Sequence, residues 1–280
     1  MSLIPSIGFI GAGKAAQVMA KGFLSAGVIK ASEIIASSPH EEGLRDFQLL
    51  GCHTTADNKK VIKEATTVFL AIKAKVFPAV FNEISPSVTR DHLISSIAAG
   101  VTLDYMQKSL PGRSRLVRMM LNTPIEFREG VTAVTFGKFA REDDISLVHK
   151  LMSSVGTCLE VEEENMDVIT ALMGSGPAYF YLAIEALADG GVFAGLNRGL
   201  ALKLAAKTAA GAAKMVLESG QHPGELKDDV CSAGGSTIYG ISVLEEHGFR
   251  SSLIKAVKAA SDRAKEMGRT SIKGYKPEFK

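Results

Sequence analysis

The sequence predicts an α/β protein in which an N-terminal Rossmann-type dinucleotide-binding domain precedes an all-α C-terminal domain. Up to about residue 165, short β-rich apolar runs alternate with more polar or amphipathic segments, a pattern typical of βαβ units and a mostly parallel sheet. Beyond that point, long stretches rich in Ala, Leu and Gly carry almost no strand signal and predict helices. We therefore expect two domains, residues 1–165 and residues 166–280.

The predicted strands lie in the apolar runs SIGFIG, EIIASS, TVFLAI, HLISSIAAG, RLVRMM and GTCLEV. The predicted helices lie in AYFYLAIEALADGGVFAGL, RGLALKLAAKTAAGAAKMVLESG, STIYGISVLEEHG and RSSLIKAVKAASDRAKEMG. Glycines in these helices, such as Gly190, Gly191, Gly195 and Gly211, predict helix ends or close helix contacts. The acidic run from Glu162 to Glu164 falls at the changeover and is interpreted as a solvated linker or a helix start.

Charge and composition exclude several classes of function. Lys plus Arg total 32 against 30 for Asp plus Glu, and no basic cluster stands out, so we expect no nucleic-acid partner. The three cysteines, Cys52, Cys158 and Cys231, form no C-x-x-C pair, and the six histidines show no metal-ligand spacing. We therefore expect neither a disulfide framework nor a metal site, and a reducing compartment fits the cysteines better.

The apolar stretch from Ala171 to Leu196 raises the question of a membrane span. Glu185, Asp189 and several glycines interrupt it, so a buried helix explains the stretch better. The N-terminus shows neither a signal-peptide pattern nor an Arg-rich leader. We therefore expect a cytoplasmic protein with no membrane partner.

A glycine-rich turn follows the first apolar run directly. The residues Gly11-Ala12-Gly13-Lys14-Ala15-Ala16 match the dinucleotide-binding pattern G-x-G-x-x-G/A in the required strand, turn and helix context. Gly11 permits the tight turn, and Gly13 lets the backbone approach a pyrophosphate at the start of the next helix. A tight turn without a ligand is the alternative interpretation.

The residues at the end of the second strand favour NADPH over NADH. NAD-specific sites carry an acidic residue at this strand end, whereas here the only acid, Glu33, lies at the start of the strand. Ser37, Ser38 and His40 occupy the end instead, and hydroxyls can donate to a 2′-phosphate that a carboxylate would repel. We expect NADP(H) as the preferred cofactor, with NAD(H) possible. A serine- and proline-rich turn without a ligand role is the alternative.

Ligands of open α/β sheets bind in a crevice at the carboxyl ends of the strands. We therefore expect residues that follow the later strands to contact the same cofactor. For Lys73 a solvated lysine is the alternative interpretation, and for Asn122 a strand-to-turn signal. The candidate cofactor-binding residues are Ile10, Gly11, Ala12, Gly13, Lys14, Ala15, Ser37, Ser38, Asn58, Ala71, Ile72, Lys73, Ala98, Ala99, Gly100 and Asn122.

The order and spacing of GFIGAGKAA, ASSP, FLAIK, AAG, NTP, SSVG, GSGPAY, ALADGGV, QHPGELKDDV and SAGGSTI resemble the pyrroline-5-carboxylate reductase family. Of these motifs, GSGPAY through GGSTI is the most specific. EHGFRSSLIKAV and VCSAGGSTIYG look like the animal members, and the short tail resembles the short cytosolic form. The resemblance implies hydride transfer from NAD(P)H to the cyclic imine 1-pyrroline-5-carboxylate, giving L-proline in the last step of proline biosynthesis.

The resemblance also assigns the substrate loop. It implies that backbone N–H groups of Gly234, Gly235 and Ser236 bind the substrate carboxylate at a helix start, and that Thr237 hydrogen-bonds to the ring nitrogen as the catalytic residue. The alternative is a helix N-cap, with Ser236 or Thr237 satisfying free N–H groups. His222 matches the family as well and is expected to shape its loop rather than to transfer a proton.

The family resemblance implies that the helical domain is a dimerisation domain, giving a homodimer, and a decamer of five dimers as in the animal members. An intramolecular helical core would explain the same pattern.

The sequence departs from the family pattern at three positions. Ala74, Leu121 and Ala233 stand where the family usually has proline, so each site loop loses a residue that fixes φ.

Two other functions stay open at this point. One is an NADP-dependent hydroxy-acid dehydrogenase of similar build, although no Lys or His acid/base is offered around GSGPAYFYLAIEALADGG. The other is a non-catalytic NADPH-binding protein, which would have no need of an intact GGST loop.

Overall fold

The computed structural model of the chain describes residues 6–272, with side chains through residue 268. The outermost parts of the two predicted domains, residues 1–5 and 273–280, lie outside the described residues. The chain divides into two compact units, residues 1–174 with 259–280, and residues 175–258. The domain limits 1–165 and 166–280 stay a prediction.

The first unit is built on one eight-stranded sheet. Its strands are β1 (Ile7–Ile10), β2 (Ile34–Ser37), β3 (His53–Thr55), β4 (Thr67–Leu70), β5 (Leu93–Ser96), β6 (Arg115–Leu121), β7 (Gly130–Phe136) and β8 (Gly156–Glu160). Their order is β3-β2-β1-β4-β5-β6-β7-β8, and all neighbours are parallel except β6 and β7. The order of the first six strands is that of the Rossmann fold, which confirms the predicted fold class.

Helices cover both faces of this sheet, so that its central strands are buried on both sides. They are α1 (Lys14–Ser25), α2 (Glu41–Leu49), α3 (Asn58–Glu64), α4 (Phe77–Ile84), α5 (Leu103–Ser109) and α6 (Glu142–Ser153). Successive strand side chains point to opposite faces. Accordingly, Phe9 packs in one apolar core with Phe47 and Phe69, while Ile10 packs in the other with Phe81.

The segment around the acidic run is a helix start. It forms a 3-10 turn (Glu163–Asn165), the short helix α7 (Met166–Ile169) and a π-helical turn (Thr170–Gly174). Glu163 is not a solvated linker residue, because its carboxylate binds the buried Arg118 of β6 at 3.1 Å and also accepts from the Leu103 N–H at 2.8 Å. The second Arg118 nitrogen pairs with Asp167 at 3.1 Å. The arginine therefore ties this segment to the sheet.

The second unit is helical. Its elements are α8 (Gly176–Phe193), α9 (Arg198–Ser219), α10 (Pro223–Asp229), α11 (Ser236–Glu246) and the first part of α12 (Phe249–Ile272). Helices α8 and α9 pack closely at Gly191, where an added Cβ would lie 3.1 Å from that of Ala201. Gly195, with a φ of +99°, follows the end of α8, whereas Gly190 and Gly211 face open space in this chain. Across residues 6–272 we find no helix with the length and apolarity that a membrane span requires.

Candidate functional site

The predicted cofactor-binding residues lie along the carboxyl ends of the strands. The ends of four strands are in register there, since Ile10 pairs with both Ser37 and Leu70, and Leu70 pairs with Ser96. The strand order reverses between β1 and β4, and this reversal opens a crevice at the carboxyl ends of the strands. The structure thus brings together the glycine-rich turn and the residues that follow β2, β4 and β5.

Gly11 occupies a turn that no other residue would fit. Its φ is +100°, and an added Cβ would lie far inside van der Waals contact with the Ala71 carbonyl oxygen. The Gly11 N–H donates to the Ser37 carbonyl at 2.9 Å, and the Ala71 N–H donates to the Ile10 carbonyl at 2.8 Å. The turn is therefore packed between the ends of β2 and β4.

Gly13 has the opposite environment. Its backbone is ordinarily extended, with a φ of −77° and a ψ of 179°, and an added Cβ would have nothing within 4 Å. No side chain caps the N-terminus of α1, which begins at Lys14. Ala15 lies half-buried in this first turn, and Ala12 is buried, its carbonyl accepting from the Gln17 amide at 3.0 Å. An uncapped helix start beside open space fits a dinucleotide pyrophosphate.

The two serines at the end of β2, Ser37 and Ser38, are not equivalent. The Ser37 side chain is fully buried, and its hydroxyl donates to Asn58 Oδ1 at 2.6 Å. This hydroxyl is therefore used within the protein, and a contact of Ser37 with the cofactor stays a prediction. Ser38 Oγ accepts from the His40 N–H at 3.0 Å, and no acceptor for its own hydrogen is present among the described residues. Ser38 is also buried, at 8% exposure, but of the two hydroxyls its hydrogen is the one that no described residue accepts.

The remaining candidates differ in exposure. Lys73 is exposed just beyond β4, and Ile72 is half-buried beside it. Gly100 is buried against α12, where an added Cβ would lie 2.5 Å from the Gly268 Cα. Ala98 packs in the core, and Ala99 packs with the Met120 and Met166 cluster. Asn122 Oδ1 accepts from the Val131 N–H at 2.8 Å, which ties the end of β6 to β7.

The GGST loop lies in the second unit. Gly234 has a φ of +67°, and Gly235 immediately precedes α11, its N–H donating to the Ser232 carbonyl at 3.0 Å. In the described part of the chain, neither the Ser236 nor the Thr237 hydroxyl caps this helix end. The N-cap alternative is therefore not seen, and the first N–H groups of an 11-residue helix remain available to an anion.

His222 has a structural role at a helix start. His222 caps α10, its Nδ1 accepting from the Gly224 N–H at 3.1 Å.

Burial raises the pKa of the Cys52 and Cys158 thiols to about 11, with the Glu160 charge adding to the effect at Cys158, so both stay protonated. Within residues 6–268, no three side chains of the metal-ligating types His, Cys, Asp and Glu come together.

Comparison with known proteins decides the family. A family model described as "Pyrroline-5-carboxylate reductase dimerisation" matches residues 163–267, and one described as "NADP oxidoreductase coenzyme F420-dependent" matches residues 6–100. Pyrroline-5-carboxylate reductase 2 of Bos taurus is 46% identical over 267 residues, which covers 94% of this chain and 83% of that protein. The chain belongs to the pyrroline-5-carboxylate reductase family.

Solved structures of other family members agree with this assignment. The pyrroline carboxylate reductase of Plasmodium falciparum, solved with NADP bound, matches with a TM-score of 0.89 at 31% identity, over 96% of this chain and 99% of that one. The enzyme of Coxiella burnetii matches with a TM-score of 0.83 at 36% identity, over 94% and 98% of the two chains. The predicted family, fold class and class of enzyme are confirmed, and the hydroxy-acid dehydrogenase alternative is not favoured.

Proposed function

We propose that this protein reduces 1-pyrroline-5-carboxylate to L-proline with a hydride from NADPH. The observation that carries the proposal is an intact Gly234–Thr237 loop at an uncapped helix start, in a chain 46% identical to a pyrroline-5-carboxylate reductase. The test is the oxidation of NADPH by purified protein with and without the imine. A rate that the imine does not raise, together with reduction of a 3-oxo acid, would favour the dehydrogenase instead.

The cofactor is held at the carboxyl ends of the strands. Gly13 and the first N–H groups of α1 would bind the pyrophosphate, and the residues after β4 and β5 would line the crevice towards the nicotinamide. The bound NADPH supplies the hydride. The task of the protein is to position the two reactants, because a protonated imine is already electrophilic.

The GGST loop holds the substrate. The N–H groups of Gly234 and Ser236 bind the carboxylate, helped by the positive end of the α11 dipole. The third expected donor, the Gly235 N–H, already donates to the Ser232 carbonyl. Thr237, half-buried in the first turn of α11, hydrogen-bonds to the ring nitrogen as the imine becomes an amine. Mutation of side chains leaves the backbone donors in place, so the contribution of Thr237 can be measured separately.

The Thr237→Ala variant is expected to lose roughly 10- to 100-fold in turnover with NADPH affinity nearly unchanged. A hydrogen bond lost from the transition state is worth about 0.5–1.5 kcal/mol when neutral and about 1.5–3 kcal/mol when charged. Steady-state kinetics and a melting curve measure the two effects. Thr237→Ser is the matched control and should keep most activity. Full activity in the alanine variant would remove Thr237 from the mechanism.

NADPH is proposed as the preferred cofactor, supported by the lack of an acidic residue at positions 37–40, where β2 ends, and by the free donor of Ser38. The Ser38→Asp variant should raise the KM for NADPH by roughly 10-fold or more and change that for NADH far less, because like charges repel across a short distance. Kinetics with both cofactors measure this. The control is Ser38→Asn, which adds similar bulk without charge, and equal effects on both cofactors would contradict the argument.

A homodimer is proposed as the smallest assembly, with a decamer as the possible larger one. In residues 175–258 the buried apolar side chains are three alanines, Ala188, Ala201 and Ala205. Large side chains such as Phe193 and Leu217 are 97% and 84% exposed. Such a surface is typical of an interface, and a monomeric mass by light scattering would contradict the proposal.

All three cysteines are free, which supports a reducing compartment such as the cytoplasm.

A further inference from the structure

A chain of three hydrogen-bonded side chains lies at the end of β2, and its last member, Glu83, has no role in the function described so far. Ser37 Oγ donates to Asn58 Oδ1 at 2.6 Å, and Asn58 Nδ2 donates to Glu83 Oε2 at 2.8 Å. Ser37 ends β2, Asn58 begins α3, and Glu83 lies in the last turn of α4. Three separate elements therefore meet through these side chains.

The chain fixes the orientation of the Asn58 amide. A carboxylate only accepts hydrogen bonds, so Glu83 must face the NH2 group and Ser37 must face the carbonyl oxygen. The amide nitrogen carries two hydrogens, and Glu83 takes one of them. For the other, the described residues offer no acceptor. Since Asn58 is only half-buried, this second N–H can reach a ligand.

Asn58 stands beside the place where the ribose 2′ position would lie. The Ser38 N–H donates to the Thr55 carbonyl at 3.2 Å, so the end of β3 lies against Ser38 and leads within three residues to Asn58. In the Rossmann fold the 2′ position is recognised at the end of the second strand. The second Asn58 N–H is thus a donor near this strand end, and a 2′-phosphate consists of acceptors.

We propose that Glu83 is a positioning residue for the recognition of the 2′-phosphate: it holds the Asn58 amide with an N–H towards that group. The proposal rests on the proposed use of NADPH and deepens it. The negative charge of Glu83 itself opposes a phosphate, so its charge and its hydrogen bond act in opposite directions. The variant Glu83→Gln separates the two, because glutamine keeps an acceptor oxygen and removes the charge.

The experiment uses calorimetric titration of the whole protein with adenosine 2′,5′-bisphosphate and with adenosine 5′-monophosphate. Glu83→Ala should bind the bisphosphate roughly 3- to 30-fold more weakly, the range expected for coupling through one hydrogen-bonded network, with the monophosphate unchanged. Glu83→Gln should bind the bisphosphate at least as tightly as the wild type. Glu64→Ala removes the same charge from the far end of α3 and should change neither affinity.

A double-mutant cycle tests whether Glu83 acts through Asn58. If it does, Glu83→Ala added to Asn58→Ala should weaken the bisphosphate no further, whereas additive effects would overturn the proposal. A wild type that distinguishes the two nucleotides, with a Glu83→Ala variant that distinguishes them equally well, would overturn the role of Glu83 alone. A wild type that does not distinguish them would overturn the NADPH preference and the role of Glu83 with it.

Discussion

The Gly13→Ala variant is expected to bind NADPH about 10- to 100-fold more weakly than the wild type while folding at least as stably. The Gly13 backbone, with a φ of −77° and a ψ of 179°, is open to any residue. Alanine at such a position stabilises a protein by about 0.4–1 kcal/mol. The new methyl group would enter the open space beside the α1 N-terminus, where insertion into a close ligand contact costs roughly 1–3 kcal/mol.

Fluorescence titration with NADPH and a thermal melting curve measure these two quantities. Gly11→Ala is the matched variant, because it adds the same methyl group two residues earlier. There the φ of +100° and the Ala71 carbonyl leave no room, so the free energy of unfolding should fall by roughly 1–3 kcal/mol or more. If Gly13→Ala binds NADPH like the wild type, the pyrophosphate does not approach this turn.

The Arg118→Met variant is expected to lower the free energy of unfolding by about 3–5 kcal/mol, a large fraction of the stability of most domains. The Arg118 side chain is 4% exposed and bridges Glu163 and Asp167. Methionine fills much of the volume but leaves the Glu163 and Asp167 carboxylates, 32% and 23% exposed, without their cation. Urea denaturation followed by circular dichroism measures the loss.

Lys108→Met provides the control for this variant. Lys108 forms an exposed pair with Asp104 four residues earlier in α5, and its loss should change stability by less than about 0.5 kcal/mol. Adding Glu163→Gln and Asp167→Asn to Arg118→Met neutralises the two carboxylates and should restore part of the stability. An Arg118→Met protein as stable as the Lys108→Met protein would show that the buried pairs contribute nothing.

The elements that the sequence predicted are those with a strong apolar pattern. Three other elements were not predicted. β3 is the outermost strand of the sheet and has only three residues. β7 begins with glycine and is antiparallel to its neighbour β6. α10 is a helix of seven mostly polar residues. His222 followed by proline was nevertheless a helix-start signal that could have predicted it.

The candidate site was predictable in position but not in the direction of its side chains. A strand end indicates where a ligand binds, yet the alternation of side chains directs Ser37 inward, and only the fold reveals that Asn58 receives its hydroxyl. Nor does an arginine in the run RLVRMM indicate that its partner lies 45 residues later. Glu83 gave no signal at all, because its role depends on a contact between separate elements.

The nucleotide-binding unit is discontinuous in the chain, since residues 259–280 belong to it together with residues 1–174. Ser261, Ala264 and Gly268 of this last segment are buried, and Gly268 closes over Gly100 beside a predicted cofactor loop. During synthesis on a ribosome, the sheet is therefore made long before the helical turns that cover this loop. The unit can be completed only after all of residues 175–258 have been translated. A nascent chain released before α12 would therefore leave the surface around Gly100 uncovered, and transiently exposed surface of this kind makes a chain prone to aggregation and dependent on chaperones.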